Sequence, residues 1–412
     1  MIFEILLWAV SLFIFLPNLN LFFSFSKSEI FPWAIVFSSS RNIRFSIPYL
    51  FFISYLTLSA FLIFYINDDW LQPFRSLLAI INATLIFYRI LFSSDIEIKI
   101  VEYALSIIFI FCLFIGLLQY FNLFPISLVE YMNALIPRFR PNIPINDIRG
   151  VSSLFSEPAY YAYSFNYGAF YILYRKKIKL DNFIGLLSFL FILIFNIFII
   201  RSATGLVFSI IYILFLIPLK RRIYFILILS FFVFLGINYF GQYFLKVRAI
   251  QAFILIFSSG NIYDIYLNFL TVSGFRAVSI MSSYLYGFFH FFGGGIGNWA
   301  ETSVIAYQAI GIPANKISYY VILNNGYFTG TRPTSIVADI MLESGIFGLF
   351  LFLLAFAKYF FNKQIWTNPS LRSFIIIIIF NVFVNGTIGD PTPFIFLGLI
   401  CRNLFNYNLD LT

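Results

Sequence analysis

The sequence predicts an all-α polytopic membrane protein of about 12 transmembrane helices with one large late loop, and three observations carry that prediction. Of 412 residues, 61% are hydrophobic and 10% charged, with a mean hydropathy of +0.93, more apolar surface than a water-soluble core can hide. The apolar residues come in runs of roughly 17 to 25, the length that crosses a hydrocarbon layer about 30 Å thick. The strongest basic clusters fall at alternate joints between those runs, as the positive-inside rule requires of cytoplasmic loops.

Twelve runs follow in order: 2 to 17, 21 to 38, 47 to 66, 74 to 92, 100 to 121, 154 to 174, 183 to 200, 203 to 219, 223 to 240, 335 to 357, 373 to 389 and 392 to 406. The first has Glu4 where a signal peptide carries a cation, and no small-residue cleavage site, so it reads as a retained helix. Arg41 with Arg44, the run Arg175 to Lys179, Lys220 to Arg222, and Lys358, Lys363 and Arg372 mark one side. Taking that side as cytoplasm places both termini inside and residues 67 to 70, 122 to 153 and 241 to 334 outside. The chain divides accordingly: 1–240 with nine spans and an outer loop at 122–153, the large outer loop 241–334, and three closing spans in 335–412. That loop is apolar for a solvated segment, and 249 to 258 and 277 to 292 read as short helices lying at the membrane surface.

Composition also excludes several functions. Cys112 and Cys401 sit far apart in apolar runs and His290 is the only histidine, which leaves no disulfide framework and no transition-metal set. A net charge of +9 is scattered between spans rather than gathered in a soluble domain, so its partners are anionic membrane lipids and an anionic lipid-linked substrate, with no nucleic acid. The 59 Phe and 27 Tyr are packing and lipid-facing mass.

Four constellations stand out. Glu157-Pro158 opens the sixth run, either as a first-turn capping carboxylate or as an outward-facing base or arginine partner. Arg201 stands in a tight turn between two spans, where chain reversal needs no arginine. Arg276, His290 and the turn Gly293 to Asn298 occupy one stretch; permissive glycines there serve a turn or let backbone approach a phosphate. Arg332 precedes the tenth run, whose Asp339 and Glu343 are four apart and share a helix face. Outward arginines oppose the topological bias, and as a set (Arg140, Arg149, Arg201, Arg276 and Arg332 among them) they suit a shared anionic ligand, since guanidinium presents a planar fork to phosphate oxygens.

Together these residues resemble the O-antigen polymerase (Wzy) and O-antigen ligase superfamily of bacterial envelope glycosyltransferases. Arg276 matches the arginine that opens the family's late-loop stretch, Gly295-Ile296-Gly297 its turn and Trp299 the following aromatic. Glu343, Gly345 and Gly348 match the E-x-G-x-x-G helix entry, Arg276 and Gly287 an R-x10-G pattern, and Leu154 to Pro158 the phenylalanine and glutamate segment. Ligases carry a histidine just before that helix entry; Arg332-Pro333-Thr334 stands there instead, which favours polymerase.

The resemblance implies a GT-C-like architecture in the bacterial inner membrane with a periplasmic active site. The substrate would be an undecaprenyl-diphosphate-linked oligosaccharide, with a chain-length regulator as a further partner and no cofactor or metal. Transfer to an incoming repeat unit needs cations at the diphosphate, for which Arg201, Arg276 and Arg332 are the candidates with Arg140 and Arg149 in reserve. It needs a base near the acceptor hydroxyl if the transfer inverts: Glu157 or Glu343, then Asp339, then His290. The alternatives are O-antigen ligase and a lipid-linked oligosaccharide flippase or transporter.

Overall fold

The computed structural model describes residues 2–16, 30–39, 43–136, 139, 141, 150–178, 182–218, 222, 223, 227, 255, 256, 261–273, 275–311 and 313–405. The expected runs 21 to 38 and 223 to 240 lie partly or largely outside these residues, as does most of 241 to 260. Every regular element among the described residues is helical. Five are long and apolar enough to cross a membrane: 47–67, 71–91, 95–120, 183–200 and 336–360; shorter apolar helices cover 203–216, 369–384 and 392–404. The protein is therefore a helical, membrane-embedded one.

The first part of the chain holds α1 (Ile2–Phe13), α2 (Pro32–Ser39), α3 (Ile47–Asn67), α4 (Leu71–Leu91) and α5 (Asp95–Tyr120). Local chemistry sets the boundaries. The Ser46 side chain accepts from Tyr49 N at the start of α3, which ends at a left-handed Asp68. Ser94 and Glu97 form a complete capping box at the start of α5. At this end Arg89 of α4 pairs with Glu97 at 2.9 Å, both buried, and Arg402 reaches Asp95 at 3.0 Å and the Ser93 carbonyl at 2.8 Å. A buried charge is tolerable only with partners of this kind.

After α6 (Val129–Leu135) come α7 (Pro158–Arg175), α8 (Phe183–Ile194) and α9 (Ala203–Leu216). Residues Phe195–Ile200 continue α8 as a π-helix, which closes on Arg201 in the left-handed region at φ 52°. Asn166, Asn196 and Ser209 tie the three helices together below the surface through bonds of 2.9–3.1 Å.

The late loop contributes α10 (Ile262–Ser273), α11 (Phe275–Phe289), α12 (Trp299–Gln308) and α13 (Ser318–Asn324); α14 (Ile336–Phe360), α15 (Lys363–Thr367), α16 (Pro369–Val384) and α17 (Thr392–Phe405) close the chain. Leu270, Val278, Tyr307, Ile317 and Tyr320 form a small core of their own. Where the sequence reading lays 277 to 292 flat on the membrane surface, the structure packs α11 lengthwise against α14, so closely that a side chain at Gly287 would meet the Met341 backbone.

That packing depends on a break in α14. Gly345 has φ 66° and ψ −167° inside an otherwise continuous helix. The Leu342 and Glu343 carbonyls released by the break accept from Gly294 N at 2.9 Å and Gly295 N at 2.8 Å, and Phe347 N donates to the Phe291 carbonyl at 3.1 Å. Tyr55 of α3 donates to the Ser344 carbonyl at 3.1 Å. Irregular backbone at membrane depth survives where protein groups satisfy it, and the glycine turn after α11 does so here.

Candidate functional site

Glu157 is the N-cap residue of α7, yet its side chain makes no cap hydrogen bond. Its Oε2 accepts from Nη2 of Arg276, first turn of α11, at 2.8 Å across 119 residues of sequence. The two side chains are 30% and 39% exposed, so the pair is accessible at the surface and not in the core. Of the two readings of Glu157, arginine partner and helix cap, the geometry matches the first. Both groups sit at helix N-termini, Glu157 as N-cap and Arg276 in the first turn: the carboxylate suits the positive helix end, the guanidinium opposes it.

Arg332, Asp339 and Glu343 meet inside the protein. Arg332 Nη2 lies 2.9 Å from Glu343 Oε1 and Nε lies 3.3 Å from Asp339 Oδ2, an ion pair off the hydrogen-bond direction. The guanidinium also contacts the Ser76 hydroxyl of α4 and stands 5.3 Å from the Trp299 ring centre. Both acids are fully buried, and the Arg332 side chain is 11% exposed. The shared face of the two acids follows their i, i+4 spacing, their meeting with Arg332 comes from the fold, and the Gly297 backbone hydrogen bond to Glu343 ties this interior cluster to the glycine turn.

The remaining predicted residues separate. Arg201 is partly exposed, with Nε 3.2 Å from the Phe198 carbonyl; the segment entering α7 crosses beside it, where Val151 N donates to the Ile199 carbonyl at 3.1 Å. His290 is exposed beyond the end of α11, its ring stacked on Tyr286 at 3.9 Å and its Nδ1 2.9 Å from the Tyr286 carbonyl. The turn that follows uses positive φ at Gly293, Gly295 and Gly297, and its backbone serves α14 as described. Arg140 and Arg149 lie outside the described residues.

One acid escaped the sequence reading. Asp390, in the turn between α16 and α17, is 1% exposed; its Oδ2 accepts from the Tyr163 hydroxyl at 2.8 Å and its Oδ1 from Thr392 N at 3.0 Å. Tyr163 lies six residues into α7 from Glu157, and Gly386 of the same turn abuts Ile336 at the start of α14. The Asp390 turn therefore sits between the helix that bears Glu157 and the helix that bears Asp339. Burial holds its carboxyl above the ordinary value of 3.8, against the hydrogen bonds donated by Thr392 and Tyr163. An acid in a Gly-Asp-Pro turn between two short apolar runs was the available signal.

Chemically, the Glu157–Arg276 pair supplies one carboxylate and one cation within reach of a ligand, while the buried cluster sets a single guanidinium against two acids. Among the described residues no group of three or more His, Cys, Asp or Glu is placed to hold a metal ion. Comparison with family models, with curated proteins and with solved structures finds no match for this chain.

Proposed function

We propose that this membrane protein is a polysaccharide polymerase that transfers a growing glycan from polyprenyl diphosphate to a hydroxyl of an incoming lipid-linked repeat unit. The observation that supports this reading most directly is the partly exposed Arg276–Glu157 pair. The pair couples the two requirements of the reaction. A diphosphate that takes Arg276 as its counter-ion draws that cation away from Glu157, whose carboxylate then accepts the acceptor's proton. The bond between the anomeric carbon and the phosphate oxygen breaks, and the carrier leaves as its diphosphate with that electron pair. A new bond joins the anomeric carbon to the acceptor oxygen, whose proton passes to Glu157. Arg201 is the next candidate for the leaving diphosphate, while Arg332, held by two acids, supports the fold of the site. A GT-C-like architecture, the bacterial inner membrane and a periplasmic active site belong to the same proposal.

The broken helix α14, with charged groups beside the break, favours a second reading as a transporter of lipid-linked oligosaccharide, since discontinuous helices often line substrate paths. Purified protein supplied with lipid-linked repeat units separates the two. Chains that lengthen in detergent solution, where there is no second compartment, support the polymerase. Substrate that crosses a vesicle membrane without lengthening supports the transporter and sinks the polymerase.

A further inference from the structure

At the end of the molecule away from Glu157 and Arg276, a cavity of about 490 Å³ opens between the end of α9 and the start of α16, lined by Phe215, Leu216, Arg222, Trp366, Arg372 and Ile376 among others. Position on α16 fixes its remoteness. Phe383 meets Tyr284 of α11, and Arg372 lies eleven residues earlier, roughly 16 Å along the helix axis.

Two guanidinium groups share this cavity, and among the described residues neither meets a carboxylate. Arg222 Nε donates to the Ile217 carbonyl at 3.1 Å and its guanidinium lies 4.9 Å from the Phe215 ring centre. Arg372 Nη2 donates to the Phe215 carbonyl at 3.1 Å, while its Nε is buried without a partner. Arg372 also stands in the first turn of a 16-residue helix, where a cation opposes the helix dipole. Two fixed cations, one with an unused buried donor, converge on a space that apolar and aromatic side chains complete. Trp366 donates its Nε1 to the Phe360 carbonyl at 2.8 Å, which fixes the ring at the cavity wall.

We propose that this cavity binds the phosphate of an anionic phospholipid. A phosphodiester gives each guanidinium an oxyanion acceptor, basic pockets between membrane helices suit acidic headgroups, and Leu216 and Ile376 offer an apolar path for the start of an acyl chain. Free phosphate shares the oxyanion chemistry but not the apolar path.

The test uses the full chain, purified and stripped of lipid. Phosphatidylglycerol or cardiolipin added to the detergent should raise its melting temperature at concentrations about tenfold below those at which phosphatidylcholine does so. The Arg222→Gln/Arg372→Gln double variant should lose that preference. Equal stabilisation by millimolar inorganic phosphate would identify a free anion as the occupant and overturn the lipid assignment. No preference for anionic lipid in the native chain, or the same preference in the double variant, would also overturn it. Because the double variant is open to misfolding, a photoreactive phosphatidylglycerol headgroup is cross-linked to the native chain in nanodiscs. Label in the peptides containing Arg222 or residues 363 to 376 supports the site, and label confined elsewhere refutes it.

Discussion

Replacing Arg332 by Met keeps an unbranched apolar stem, though a shorter one, and removes the charge between Asp339 and Glu343. Both acids are fully buried, so the substitution leaves two carboxylates without their guanidinium, and breaking a buried pair from one side costs about 3–5 kcal/mol. The lost contact with the Trp299 ring adds about 0.5–2 kcal/mol. The cost is due to the stranded acids and should fall when they are neutralised. Asp339→Asn with Glu343→Gln in the Arg332→Met background should recover most of the loss, because uncharged replacements of a buried ionic cluster are often nearly neutral. Unfolding in mixed micelles of increasing SDS fraction, followed by intrinsic fluorescence, measures the four free energies of the cycle. Native stability in Arg332→Met, or a triple variant as unstable as the single one, would refute the assignment of this cluster as the interior support of the site.

Three further outcomes are expected. Arg276→Ala should slow chain lengthening in the purified system about 10²- to 10³-fold, the usual effect of removing one preorganised charge donor, and a native rate would remove Arg276 from the reaction. Gly345→Ala places a side chain at φ 66° against the carbonyls of His290 and Phe291; the backbone strain alone costs about 1–3 kcal/mol, read as a lower melting temperature, and an unchanged melting curve would contradict the break in α14. For Asp390, the native state binds the proton more tightly than the unfolded chain because burial holds its carboxyl above 3.8. Its stabilising contribution is therefore present below the ordinary carboxylate range and is lost as pH rises through the folded value. Asp390→Asn, which keeps an acceptor for Tyr163, should flatten that decline above pH 4, and a parallel pH profile in the two proteins would count against it.

Much of this architecture is written locally. Ser94 and Glu97 carry the start of α5 in their spacing, Pro158 the start of α7, and Asp339 with Glu343 their common face. What the sequence does not carry is pairing across distance. That Glu157 would meet Arg276 rather than Arg201 or Arg332 depends on how α7 and α11 pack, which no local pattern encodes. Glycines 293 to 297 are legible as a turn; that their backbone satisfies a break in α14 is a tertiary fact. That 277 to 289 packs against α14 is hidden for a related reason, since an amphipathic stripe buries equally well against a membrane interface or against another helix. Asp390 is not legible as a buried group because a single acid beside a proline has the same local signature whether it caps a solvated turn or lies buried against a tyrosine.

The exchange of backbone hydrogen bonds between the glycine turn and α14 also bears on how the protein is made. The first half of α14 carries two acids and ends in carbonyls that it cannot satisfy itself. An acid at the centre of a helix entering the membrane from the translocon adds about 2.5–3.5 kcal/mol to the insertion free energy, and Asp339 and Glu343, nearer the start of α14, each add a smaller share of that cost. Its complements, Arg332, the Ser76 hydroxyl and the amides of Gly294 and Gly295, all precede it in the chain and leave the ribosome first. Synthesis thus delivers the receiving groups before the segment that needs them, so the order of translation doubles as an order of assembly.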